Sequence, residues 1–219
     1  MSTTTERGMI LIIGASSGIG LQCCKQALEQ GFAVRAFSRS ARKIAIEEPR
    51  LEKVTGDALE RADVEAALEG CDAVIQSLGV PLNPETVLKG TTLFSEATAV
   101  LLPAMQAGGV KRLVTVTGFG AGDSAKAIPA WQKPAFKLVF ERIYRDKGIQ
   151  ERQIRESDRD WTIARPTVLT NGRRSHRYEV IADPAMFRSG RISRADVAEF
   201  IVGAIRDGSH IGDAPVLTR

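Results

Sequence analysis

Seven residues near the start of the chain, G-A-S-S-G-I-G over positions 14–20, follow directly on the apolar run Met9 to Ile13. Glycines at Gly14, Gly18 and Gly20 let a backbone turn sharply and approach a pyrophosphate closely. The unpaired N–H groups that open a following helix then meet the phosphate charge, with Ser16, Ser17 and Ile19 completing the loop. A glycine loop by itself also serves as a plain tight turn. Here the buried strand before it and the helix after it give it the nucleotide-binding reading.

A second group of residues bears on which nucleotide is held. An NAD site places Asp or Glu at the end of the second strand for the ribose 2′-hydroxyl, whereas an NADP site places a cation near the 2′-phosphate. This chain has F-S-R-S-A-R-K over 37–43, and no carboxylate before Glu47. Ser38, Arg39, Arg42 and Lys43 offer hydroxyl and cationic donors, Arg being favoured for its fork of N–H groups. NADP(H) is therefore expected over NAD(H), the alternative being a surface basic cluster. A third group, N-G-R-R-S-H-R over 171–177, concentrates Arg173, Arg174, His176 and Arg177. It reads either as a solvated loop or as a positive lid over an anionic acceptor.

These residues need elements to position them. Apolar runs at 9–14, 32–38, 51–57, 72–79, 112–118 and 160–166 read as strands. Helical patterns lie between them at Gly18 to Gln30, 58–70, Pro84 to Gln106 and Pro134 to Ser157. Strands spaced by helices imply parallel pairing with right-handed crossovers. The expected fold class is α/β: a single-domain, Rossmann-like, doubly wound parallel sheet with helices on both faces and a small C-terminal extension on the substrate side. In that extension Ser193 is expected to cap an amphipathic helix with Asp196 three residues on, and A-P-V-L-T-R closes as a strand. Residues 1–7 read as a disordered lead and 8–219 as the domain.

Bulk properties narrow the function classes. The chain has 219 residues, 43% hydrophobic and 26% charged, which suits one soluble core. Cys23, Cys24 and Cys71 match no zinc spacing and read as reduced small hydrophobes of a cytoplasmic protein; no metal site is expected. A net charge of +4, scattered along the chain, does not argue for nucleic acid. No window approaches the roughly 20 apolar residues of a membrane span. The expected partner is a small-molecule acceptor, and the protein a monomer or homodimer.

Taken together, G-A-S-S-G-I-G, V-T-G-D-A-L-E-R-A-D-V-E-A-A-L-E-G-C-D-A-V-I-Q-S-L-G, W-T-I-A-R-P-T-V-L-T-N-G and G-R-I-S-R-A-D-V-A-E-F-I resemble the atypical short-chain dehydrogenase/reductases with an NAD(P)H-binding domain. Within these they are most similar to the NmrA-like and biliverdin/flavin-reductase-like branch, over about residues 8–218. The resemblance implies that G-A-S-S-G-I-G wraps the pyrophosphate and Arg39 meets the 2′-phosphate. It also implies that Asp57 and Ala58 lie against adenine, Leu78 and Gly79 beside the ribose, and Pro166 to Leu169, including Val168, past the nicotinamide. The segment beyond, with Arg173, Arg174 and His176, would form the substrate wall.

The main branch of that family uses a Ser after the fifth strand and a Tyr-x-x-x-Lys pair on the next helix, because hydride delivery to a ketone builds an alkoxide that must be protonated in place. Here Gly118 stands at the Ser position with Thr117 before it; if Lys147 is the family lysine, Ile143 fills the Tyr position. Tyr144, three residues before Lys147, reaches the same groove only from its other flank. The candidate catalytic residues are thus Lys147, Thr117 and Tyr144. A conjugated acceptor of flavin, quinone or tetrapyrrole type can take its proton from water, so an NADPH-dependent reductase of such an acceptor is expected. The alternative is a non-catalytic NADP(H)-binding sensor of the NmrA-like type.

Overall fold

The alternation of side chains along the first strand determines how the layers are built. In the computed structural model, which describes residues 7–219, β1 (Arg7–Ile13) sends Ile10 and Ile12 to one face and Leu11 and Ile13 to the other. All four are buried, as a central parallel strand requires. The lead expected at 1–7 lies outside the described residues except for Arg7, which opens β1 by pairing with Phe32.

The remaining elements follow the expected alternation. They are α1 (Gly18–Glu29), β2 (Phe32–Phe37), β3 (Leu51–Val54), α2 (Arg61–Leu68), β4 (Ala73–Gln76), α3 (Pro84–Lys89), α4 (Leu93–Ala107), β5 (Arg112–Val116), α5 (Lys133–Val139), α6 (Glu141–Glu156), β6 (Asp160–Pro166), β7 (Val168–Thr170), β8 (Glu179–Ile181), β9 (Arg191–Ser193), α7 (Arg194–Arg206) and β10 (Val216–Thr218). The main sheet runs β3-β2-β1-β4-β5-β6-β10-β8, parallel except for the edge strand β8. β7 and β9 form a separate parallel pair. Helices α1 and α7 pack on the face of Ile10 and Ile12, while α2, α4 and α6 pack on that of Leu11 and Ile13. The fold is thus the doubly wound α/β domain expected.

Two segments expected as continuous helices are divided. The run from Pro84 to Gln106 breaks at Gly90, whose φ of +77° suits glycine and ends α3. The stretch from Pro134 to Ser157 is interrupted at Phe140, between α5 and α6. In the extension, Ser193 Oγ accepts from the Asp196 amide at 3.0 Å, so the cap forms as expected. All three cysteines are buried and free, and burial pushes the Cys24 thiol up to about 12, which keeps it inert.

The strand order has one functional consequence. From β1 the chain winds outward through β2 and β3, then returns to place β4 on the other side of β1. Open α/β sheets bind ligands in the crevice at such a reversal, beyond the carboxyl ends of the strands.

Candidate functional site

A cavity of about 720 Å³ opens at this reversal. The glycine loop forms its floor. Gly14 has a φ of +84°, and a Cβ there would be driven into the Ser77 carbonyl group of the neighbouring strand end. Gly14, Ser16, Ser17, Gly18 and Ile19 line the cavity. Gly20 does not; it lies beneath, where a Cβ would collide with the Gly14 carbonyl, so its task is close packing of α1 on β1. The first N–H groups of α1 have no acceptor within the helix. Ser17 makes no side-chain cap, and no acidic residue occupies the first turn. The cradle is open to an anion.

Ser38, Arg39, Asp57, Ala58, Leu78 and Gly79 also line the cavity. Ser38 Oγ is buried without a hydrogen-bond partner, and Arg39 makes no ion pair among the described residues. Asp57 is held by local bonds: its amide donates to Asp63 at 2.9 Å and its carboxylate accepts from Leu59 at 3.1 Å. An orphaned hydroxyl beside an unpaired guanidinium, over a cradle that a Cβ would fill, fits the phosphate-bearing end of a dinucleotide.

At the other end stand Lys147, Thr117 and Tyr144, brought onto one wall by α6 and the end of β5. The Lys147 ammonium donates to the Thr117 carbonyl and lies 4.7 Å from the centre of the Phe94 ring and 5.6 Å from that of Tyr144. Burial lowers its pKa to about 8, although Glu151 and Asp146 act in the opposite direction. Asp146 itself caps the start of α4 by accepting from the Phe94 amide at 2.8 Å.

The Thr117 hydroxyl donates to Glu151 Oε1 at 2.7 Å. Its proton is thereby occupied, so Thr117 supports Lys147 through its carbonyl instead of orienting an acceptor. Glu151 is buried against the equally buried Arg165, with Nε–Oε1 at 3.0 Å and Nη2–Oε2 at 2.5 Å; Arg165 also pairs with Asp123.

Gly118 explains how Tyr144 enters the groove. At φ +154° it leaves a gap in which a Cβ would stand 2.7 Å from the Tyr144 hydroxyl. The missing side chain at Gly118 is what leaves room for the Tyr144 hydroxyl there. Burial pushes the Tyr144 pKa up to about 12, so its phenol stays protonated.

Lysine linkage gives a two-sided expectation. The folded pKa near 8 lies below the unfolded value of about 10.4, so the fold binds fewer protons between these limits and its stability rises as pH climbs through that window. Lys147→Met should therefore raise the melting temperature at pH 7 while weakening cofactor binding. Cofactor affinity of the native chain should decline above pH 8, and a pH-independent affinity in a calorimetric titration series would refute the assignment.

Several expected residues lie elsewhere. Val168 is 63% exposed and points away; β7 pairs with β9, so the strand alternation turns Leu169 instead of Val168 into the cavity beside Pro166. Arg173 and Arg174 line a separate cavity of about 440 Å³. Arg174 bonds Glu29 at 3.2 Å and Gln26 at 3.3 Å on α1, and His176 pairs with Glu199. The loop is pulled there because the Asp196 carboxylate accepts from the Ser175 amide at 2.6 Å, the Ser175 hydroxyl at 2.9 Å and the His176 amide at 3.3 Å. The positive lid expected over an anionic acceptor does not cover this cavity.

Residues missed by sequence reasoning are Phe94, Phe140, Leu82 and Arg194, all on the cavity wall. Phe136, Phe140 and Tyr144 recur every four residues, a stripe legible in the sequence. Their rings lie 4.9–6.0 Å apart. Arg194 has no local signal, since only the packing of α7 beside α1 brings it over Gly18.

Fold and cavity together define an α/β protein of the doubly wound class whose main cavity opens at the β1/β4 reversal. The chain belongs to the NAD(P)H-binding family, which it matches over residues 14–208. It is 29% identical over 160 residues to the NAD(P)H azoreductase of Xenophilus azovorans, covering 72% of this chain and 47% of the relative. It is also 29% identical over 117 residues to the 3-beta-hydroxysteroid dehydrogenase of Mycolicibacterium neoaurum, covering 50% and 32%. The chain thus spans about half or less of the length of these curated relatives. Among solved structures, ChuY, described as an anaerobillin reductase from Escherichia coli O157:H7, superposes with a TM-score of 0.79 at 24% identity, covering 96% of each chain. A short-chain dehydrogenase/reductase from Veillonella parvula in complex with NADP superposes with a TM-score of 0.82 at 18% identity, covering 97% of this chain and 94% of that one. Among the described residues, no helix is long and apolar enough to cross a membrane and no acidic, His or Cys cluster could hold a metal.

Proposed function

We propose that the chain is an NADPH-dependent reductase of a planar, conjugated acceptor of flavin, quinone or tetrapyrrole type. The observation that carries this reading is the lining of the cavity: besides the glycine loop and Lys147, the side chains of Phe94, Phe140, Tyr144 and Leu82 line its volume of about 720 Å³. A sensor needs only the cradle, whereas an enzyme needs room beside the reactive ring for a second flat molecule. The azoreductase name of one relative supports an acceptor with a conjugated, electron-poor centre. The absence of the basic loop from this wall supports an acceptor held by stacking more than by charge.

NADPH, when bound, supplies the hydride. Gly14, Ser16, Ser17, Gly18 and Ile19 hold its phosphate bridge, and Ser38 with Arg39 holds the ribose phosphate. Lys147, fixed by the Thr117 carbonyl, holds the ribose beside the reactive ring. Phe140 and Tyr144 exclude water and align the acceptor plane, and the protonated Tyr144 hydroxyl offers a proton at Oη.

The selectivity for NADPH has a direct test. Arg39→Ala should weaken NADPH binding by about 1.5–3 kcal/mol and leave NADH binding unchanged; equal losses would remove the 2′-phosphate assignment. For the reaction, NADPH oxidation is measured with FMN, riboflavin, a quinone and an azo dye. Turnover with at least one, slowed in Tyr144→Ala by loss of the stacking wall, is expected. A second reading, a non-catalytic NADP(H) sensor, draws on the Thr117 hydroxyl being committed to Glu151. Discrimination between NADPH and NADP⁺ in binding, with no turnover of any acceptor, would establish it.

A further inference from the structure

Arg194 opens α7, immediately after the Ser193 cap, and the packing of α7 along α1 carries it across to the glycine loop. Its Nε lies 3.9 Å from where a Cβ on Gly18 would stand, and its side chain forms part of the cofactor cavity wall. It makes no ion pair among the described residues. Its hydrogen-bond partner is Asn171, whose Oδ1 accepts from Nη1 at 2.7 Å. The β7–β9 pairing, which sets Thr170 opposite Ser193, is what brings these two residues together across 23 positions of sequence.

A guanidinium without a carboxylate partner among the described residues, set over helix N–H groups that also lack acceptors, leaves two sets of positive charge facing one gap. Such an arrangement is unfavourable until an anion enters. From this we infer that Arg194 is a clamp on the phosphate bridge of the bound dinucleotide, with Asn171 as the positioning residue that holds it ready. The inference rests on the cofactor reading and assigns a cation to the bridge, where Arg39 serves the ribose phosphate. It also makes the β7 loop part of the cofactor site: on binding, Arg194 keeps Asn171 and so ties residues 170–172 down over the cradle.

The test is the affinity of full-length protein for NADPH and NADH by isothermal titration calorimetry, together with the melting temperature without ligand. Arg194→Ala should weaken both dinucleotides by the same factor, on the order of 10-fold, because the bridge is common to them. Arg194→Lys should recover part of the loss, and Asn171→Ala should produce a smaller loss equal for both. Arg39→Ala, in contrast, should affect NADPH alone. An unchanged NADH affinity in Arg194→Ala would overturn the clamp, as would a loss confined to NADPH. A drop in the ligand-free melting temperature matching the affinity loss, with no recovery in Arg194→Lys, would reduce Arg194 to a packing role. Native protein that binds neither dinucleotide would instead overturn the cofactor reading itself, and the clamp with it.

Discussion

Glu151→Ala is expected to lower the stability of the fold by about 3 kcal/mol, the lower end of what stranding one member of a buried ion pair costs. Arg165 is 1% exposed and donates two bonds to Glu151. Without Glu151 its cation keeps the Ala214 carbonyl and, as its one carboxylate partner among the described residues, Asp123, whose side chain is half exposed. For a chain of this size about 2–4 °C of melting temperature corresponds to each kcal/mol, so a shift of roughly 6–12 °C should appear in a thermal melt. Glu151→Gln keeps an acceptor for Thr117 and should lose less. A shift below about 3 °C in Glu151→Ala would mean that the pair is not buried as described. Catalytic consequences should accompany the loss, since Thr117 bonds Glu151 through its hydroxyl and Lys147 through its carbonyl.

Gly14→Ala should have an effect of similar size at the opposite end of the cavity. At φ +84° an L side chain is strained by about 1–2 kcal/mol before any contact is considered. The added Cβ would also strike the Ser77 carbonyl group, whose carbon lies 2.8 Å from its position. Both atoms are backbone, so relief requires the ends of β1 and β4 to move apart, and the phosphate cradle with them. NADPH affinity should fall by at least roughly 100-fold, about 2.7 kcal/mol. A melting curve and a calorimetric titration separate the two consequences. Unaltered NADPH affinity would show that the loop does not hold the phosphate bridge.

These two residues differ in how far the sequence reveals them. Gly14 announces itself: an apolar run, three spaced glycines and a helical pattern lie within about twenty residues, and the forces that shape the turn act locally. The same is true of the unpaired cation after β2, because Arg39 sits within two residues of the strand end. Glu151 stands four positions after Lys147, a spacing at which helical side chains are neighbours. Its charge goes instead to Arg165 on β6, since a guanidinium buried at that distance forms two bonds where the lysine ammonium forms none.

The basic loop shows the converse case. Arg173, Arg174 and His176 cluster in sequence and invite a single anionic partner. In the fold, two of them find carboxylates at Glu29 and Glu199, and the Asp196 carboxylate folds the loop back onto α7. Composition can count these charges but not pair them, because their partners lie 23 and 145 positions away.

By itself, then, the sequence determined the order of the strands and helices up to β6, the parallel doubly wound sheet they form, the glycine cradle and the cation beside it. Each of these rests on hydrophobic periodicity or turn chemistry within one strand-loop-helix unit. Tertiary structure alone decided that Gly118 makes room for Tyr144, that Leu169 and not Val168 faces the cavity, and that Arg194 stands over Gly18. Those choices depend on which side chains meet across the sheet and between helices, where steric fit and charge pairing act between residues remote in the chain.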